Sequence, residues 1–221
     1  MFCLPDSVFR SVPVLSFHPY DFPFGSYEQD NNISNGKEEI EWTVLANENN
    51  QLFLVSKYAL DCQNYHSSRD YVTWETCSLR EWLNDSFYNT AFNESEKKMI
   101  ATSEIIADDN PKYKISSGNN TYDKVFLLSY TEANTYMNAE DRACDGTKYA
   151  YANGALEADG GGCVWWLRTP GKSGSRAIIV YSGGDYALDG RNVDGTTQKP
   201  DGTYMNNSYY AIRPAIRINI E

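Results

Sequence analysis

Two histidines, His18 and His66, are all the imidazole this chain of 221 residues carries. Neither has a positioned partner in the sequence, which argues against histidine-based catalysis. No Cys-x-x-Cys spacing links Cys3, Cys62, Cys77, Cys144 and Cys163, so the usual zinc-ligand pattern is missing. Basic residues are scarce, 19 against 30 acidic ones, for a net charge of −11. That balance argues against a nucleic-acid partner, whose phosphates demand cations. No run of 18 apolar residues occurs, which excludes a membrane-spanning helix and hence membrane insertion. The first 24 residues are apolar but broken by Pro5, Pro13, Pro19 and Pro23, unlike a signal peptide. Cytoplasmic and surface-associated locations both stay open. A Gly-x-Ser-x-Gly nucleophile elbow is also lacking.

What is present suits a folded domain. Hydrophobic residues make up 41% and charged residues 22%, enough for a core and too apolar for general disorder. Seventeen tyrosines stand out. Tyrosine fits strands, and it also offers large contact area at low entropic cost. Cys144 and Cys163 are able to pair in an oxidising compartment, and buried free thiols are the expected state otherwise.

Residues 1–23 read as an extended, proline-punctuated lead-in, and 24–221 as a single domain. Residues 40–45 and 52–56 alternate as two strands around Asn47-Glu48-Asn49-Asn50, a hairpin pattern. Ser78 with Glu81, Asn93 with Glu96 and Ser129 with Glu132 each have capping-box spacing, predicting three helices. Residues 108–122 read as a long surface loop, and 125–128 as a buried strand. Residues 164–168, 176–181, 186–188 and 209–220 read as strands joined by Gly-, Asp- and Asn-rich turns. Helices in the middle and an antiparallel, hairpin-rich C-terminal half define an α+β class.

The strand Trp165-Trp166-Leu167-Arg168-Thr169-Pro170-Gly171 carries large groups on both faces, since neighbours on a strand point oppositely. One tryptophan is expected inside, and the other covers a second layer or faces a ligand. Arg168 and Arg213 invite pairing with carboxylates. Asp185, Asp189, Asp194 and Asp201 with Asn192 supply hard oxygen ligands for calcium, though not at EF-hand spacing. They are equally ordinary turn formers, and no residue is assigned a metal-ligating or catalytic role.

Several motifs in order carry a resemblance. They are Phe24-Gly25-Ser26-Tyr27-Glu28-Gln29, Ile40-Glu41-Trp42-Thr43-Val44-Leu45, Ser56-Lys57-Tyr58-Ala59-Leu60-Asp61 and, most specific, residues 73–84 (TWETCSLREWLN). Asp123–Ser129, the Trp-Trp-Leu-Arg-Thr-Pro-Gly run and Ile212-Arg213-Pro214-Ala215 complete the series. From about residue 24 onward the chain resembles the bacterial family called domain of unknown function 6273. It departs at Ala211-Ile212, where that family's pattern has Gly-Val. The resemblance implies a C-type-lectin-like fold in its C-terminal half, in the variant shared with formylglycine-generating enzymes and with the variable proteins of diversity-generating retroelements. No cysteine follows Cys163, so formylglycine-generating chemistry is not expected, and the glycan-binding Glu-Pro-Asn calcium pattern of C-type lectins is missing.

The expected function is non-enzymatic recognition of a glycan or protein through the C-terminal loops, with no cofactor unless calcium. The expected binding residues are Trp166, Arg168, Asp185, Tyr186, Asp189, Arg191, Asn192, Tyr204, Asn206 and Tyr209. Loops rich in Tyr, Asn, Asp, Ser and Gly have the composition of adaptable binding surfaces. Tyr186→Ala or Tyr204→Ala is expected to abolish binding and spare folding. Two alternatives remain: an enzyme in a cleft beside residues 165–168, using Glu75, Asp123 or His66, and a structural assembly domain.

Overall fold

Asn49 and Asn50 both adopt positive φ, 54° and 58°. Asparagine tolerates this region, and two such residues make the turn whose twist suits a tight hairpin. They join β2 (Glu38–Glu48) to β3 (Gln51–Ser56), pairing Glu48 with Gln51 and Trp42 with Ser56. The hairpin expected from the sequence is therefore present, with a longer first strand. The structure, a computed structural model, describes residues 22–158, 161–201, 204–206 and 210–220. Nearly all of the expected lead-in falls outside the described residues, and Phe22 and Pro23 already open β1 (Phe22–Tyr27).

Two five-stranded sheets organise the chain. The first runs β1-β2-β3-β14-β7, with β14 at Ala215–Asn219 and β7 at Val125–Phe126. The second runs β10-β9-β8-β13-β4, formed by Tyr186–Asn192, Arg176–Val180, Trp165–Pro170, Ala211–Ile212 and Asp61–Cys62. Two short hairpins add β5 (Ser103–Ile105) with β6 (Thr121–Asp123), and β11 (Thr196–Gln198) with β12 (Tyr204–Asn206). The β11–β12 pair is one the sequence reading did not anticipate.

The expected single strand over 209–220 is broken in two, and the break ties the sheets together. Ala211–Ile212 belongs to the second sheet and Ala215–Asn219 to the first. Proline has no amide to donate, so Pro214 suits a break in the ladder. Its carbonyl accepts from Ser56 N at 2.8 Å, and Ile212 O accepts from Leu60 N at 2.9 Å. Between them the buried Arg213 side chain donates to Ser56 O at 2.8 Å and Asp141 O at 3.1 Å.

The helices are short: α1 (Ser78–Trp82), α2 (Tyr88–Ala91), α3 (Glu94–Met99), α4 (Tyr130–Tyr136), α5 (Ala139–Arg142) and α6 (Lys148–Ala152). A π-turn, Leu83–Phe87, runs α1 into α2, and Leu79, Leu83 and Phe87 bury one stripe. The capping boxes at Asn93–Glu96 and Ser129–Glu132 form as expected. The one at Ser78–Glu81 does not. Cys77 is the N-cap of α1, and the box closes one step earlier, between Thr73 and Thr76, on a 3₁₀ turn (Trp74–Thr76). Helices in the middle and hairpins at the end establish the α+β class. Among the described residues no helix is long and apolar enough to cross a membrane.

Candidate functional site

Every residue of β8 is buried. Trp165 and Trp166 point to opposite faces, and both faces are covered. The Trp165 indole donates to Arg142 O at 3.1 Å, with the Arg213 guanidinium 5.2 Å from its ring. The Trp166 indole donates to Gln63 O at 3.0 Å, and Tyr65 and Tyr210 pack on it at 5.7 and 4.5 Å. Arg168 turns inward to Leu127 O at 2.7 Å and to the Glu132 carboxylate. Trp166 and Arg168 therefore present no side chain to solvent, contrary to their expected place on a binding surface. Strand alternation predicted two occupied faces but not the layer over the second.

The exposed chemistry sits one hairpin away. The turn after β9 closes with Tyr181 N donating to Asp185 O at 2.8 Å. The β9–β10 register slips between Ala187 and Arg191, and such bulges re-aim side chains. Gly190 makes the slip possible: at φ 69° its Cα lies where a Cβ would stand 2.5 Å from Ala177 O. Within the bulge, Asp189 faces Arg176 at 3.4 Å and Arg191 at 3.7 Å. The Arg191 guanidinium lies over the exposed Tyr181 ring at 5.6 Å and donates to its hydroxyl. Half-buried Tyr210 adjoins this group. Burial raises its phenol above the ordinary value, against a lowering pull from Arg191.

The other expected residues divide. Asp185 is exposed. Asn192 is buried, donating to Thr196 O at 2.8 Å and accepting from Arg176 Nε at 3.3 Å. Tyr186 is wedged 4.8 Å from Tyr130 and 4.4 Å from the Arg142 guanidinium. Burial pushes its phenol up to about 12. Tyr186→Ala thus removes fold contacts as well as any ligand contact, which makes it a poor discriminating variant. The backbone of Tyr204 and Asn206 forms β12, paired with β11, and Tyr209 lies outside the described residues. The sequence reading missed Tyr181, Arg176 and Tyr210. The only available signal was tyrosine at a strand end before Ser-Gly-Gly-Asp.

Cations have one candidate set. Among the described residues, the three carboxylates gathered within 4.8 Å of one another are Glu28, Asp30 and Glu38. They already accept backbone donors: Gln29 N to Glu38 at 2.7 Å, and Asn32 N to both Glu28 and Asp30 at 2.8 Å. The Asn35 amide holds the Asp30 carboxyl below its ordinary value. Two aspartates of the glycine-rich region serve a turn and ion pairs. Asp194 accepts from Thr196 N at 3.1 Å, and Asp189 pairs with the arginines.

The groups of the enzymatic alternative do not form one site. Asp123 accepts from the Trp74 indole at 2.8 Å, Thr121 at 2.7 Å and Arg80 Nε at 2.7 Å. It shares a cleft of about 450 Å³ with Glu75, which binds Asn119 at 3.0 Å. His66 Nδ1 instead accepts from Ser78 N at 3.1 Å, at the start of α1. A second cleft, about 360 Å³, lies between Tyr71, Ile115 and Lys172. A family model described as Domain of unknown function (DUF6273) matches residues 49–220. No curated protein and no solved structure matches the chain.

Proposed function

The chain belongs to the DUF6273 family, and from that premise we propose that it is a non-enzymatic binding module recognising a glycan or a protein through its C-terminal hairpins. The observation that carries this reading is the cluster of Tyr181, Asp189 and Arg191 on the β9–β10 hairpin, with Tyr210 beside it. An aromatic face next to a carboxylate and a planar guanidinium suits sugar hydroxyls or a polar peptide. The ring supplies stacking area, and the charged pair supplies directional hydrogen bonds. The scaffold beneath is rigid, because β8 and β9 are buried almost throughout. Binding therefore costs little ordering of the protein. Asp185, exposed in the turn that follows Tyr181, would extend the surface. We read the fold as C-type-lectin-like on the strength of the motif resemblance, and an experimental structure tests that reading.

The functional test is a glycan-array and cell-surface binding screen on the purified chain, with calcium and then with chelator. Arg191→Ala and Tyr181→Ala remove the exposed cluster, and surface changes of this kind alter stability by about 0.5 kcal/mol or less. The expected result is binding that falls at least about tenfold in both variants, a loss of roughly 1.4 kcal/mol, with an unchanged melting temperature. Undiminished binding in both variants overturns the reading, as does a screen with no ligand.

A further inference from the structure

The connection between α5 and α6 brings Cys144 against Cys163, at the entry to β8. Cys163 N donates to Cys144 O at 2.7 Å, which sets the two residues side by side, and the Cys144 thiol points to Asp145 O at 3.2 Å and Lys57 O at 3.5 Å. Both are free and buried. Cys144 also lines a cavity of about 260 Å³ with Ala143, Asp145, Gly161, Gly162 and Ser182. Two adjacent glycines place no side chain over that cavity. Behind the pair lies Arg213, 3% exposed, whose hydrogen bonds go to carbonyls. Among the described residues it makes no ion pair with a carboxylate. A buried cation without an anion is costly, and the Arg213 guanidinium favours the ionised form of Cys144.

We propose that Cys144 and Cys163 form a redox-active dithiol site that reacts with low-molecular-weight disulfides, Cys144 attacking and Cys163 resolving. The Cys144 thiolate attacks one sulfur of the disulfide, forming a mixed disulfide and releasing one small thiolate. Cys163 gives up its proton and attacks the Cys144 sulfur, releasing the second small thiolate and closing the Cys144–Cys163 bond. The two protons lost by the protein go to the two released thiolates. The protein dithiol is thus oxidised, and one small disulfide is reduced to two thiols. The charge environment fits this division of labour. The neighbouring Cys163 thiol and the Arg213 guanidinium lower the Cys144 thiol, against burial and Asp145, while Cys163 is raised. Tyr151 and Glu157, whose backbone bridges to Cys163, also stand around the pair. By contrast, burial pushes Cys62 and Cys77 up to about 12, which leaves both as inert thiols.

The test uses the full chain carrying Cys3→Ser, equilibrated in graded mixtures of reduced and oxidised glutathione and read by intact mass and peptide mapping. The expected product has lost two hydrogens and yields one cross-linked peptide pair, Cys144 with Cys163. Cys163→Ala should stop at a glutathione adduct on Cys144, and Cys144→Ala should form none. A measurement that needs no further variant is iodoacetamide labelling of the folded protein at pH 7. Cys144 should react at least about tenfold faster than Cys62 or Cys77, following its larger thiolate fraction. Equal labelling of the three thiols, adducts spread over Cys62 and Cys77, or no cross-link in oxidised glutathione would each overturn the proposal.

Discussion

Arg168 shows how much one buried residue decides. Its guanidinium holds Leu127 O at 2.7 Å, Ile106 O at 3.3 Å and the Glu132 carboxylate, and its backbone carbonyl accepts from the Tyr65 hydroxyl at 2.8 Å. Glu132 closes the α4 capping box through Ser129 N at 2.9 Å, so one carboxylate caps a helix and neutralises a core cation. Removing one partner of such a pair costs about 3–5 kcal/mol, because the other charge stays buried. Glu132→Ala should lower stability by that amount in urea titrations, and Glu132→Gln, which can keep the cap, should lose less. A loss below about 1 kcal/mol in Glu132→Ala would show that the pair is screened like a surface ion pair.

At the scale of elements, the segment expected as a long surface loop over 108–122 is pinned by one side chain. Asn110 is fully buried. Its amide nitrogen donates to Pro170 O and Leu188 O, each at 2.8 Å, and its oxygen accepts from Lys112 N at 3.0 Å and Tyr113 N at 2.8 Å. Asparagine satisfies all four groups at once. Aspartate cannot, since it would set a carboxylate against two carbonyls. Asn110→Ala should cost about 1–3 kcal/mol per group left bare, and Asn110→Asp more. Hydrogen exchange should rise across 111–117 in both, and protection equal to the native chain would refute the pinning role. Local signals were the legible ones here. The β2–β3 turn and the boxes at Asn93 and Ser129 depend on neighbours a few residues away. Ser78 misled because Thr73 and Thr76 offered a rival box five residues earlier. The partners of Asn110, 60 and 78 positions distant, left no trace in local pattern. Nor did the approach of Tyr181 to Arg191, which hangs on a register slip.

Across the whole molecule, weak acids are buried in quantity, and this sets the response to alkali. Burial, aided by the Asp61 charge, raises Cys62 from 9.0 to about 12, and burial raises Cys77 equally. Burial also lifts the phenols of Tyr27 and Tyr65 above their ordinary value of 10.0. Above pH 9 the unfolded chain sheds protons that the folded chain retains, so unfolding gains ground as pH rises. The stabilisation is complete below pH 9 and disappears between about pH 9 and 12. Melting temperature should therefore hold from pH 7 to about 8.5 and drop steeply by about pH 11. A flat profile to pH 11 would contradict this accounting. At this scale the α+β class was legible in the order of helical and strand patterns. Sheet order was not, because β13 joins β8 in parallel and β14 enters between β3 and β7.

That last insertion has a consequence in time. A ribosome releases Gln51–Ser56 long before Ala215–Asn219, and Ser56 and Arg213, which meet in the fold, are 157 positions apart. Throughout that interval β3 has one finished flank, against β2, and one open flank of Leu52, Phe53, Leu54 and Val55, all buried once folding is complete. An open apolar edge invites pairing with whatever strand arrives first. The nascent chain must therefore be shielded until its closing strand is made, and productive folding waits for Ala215–Asn219.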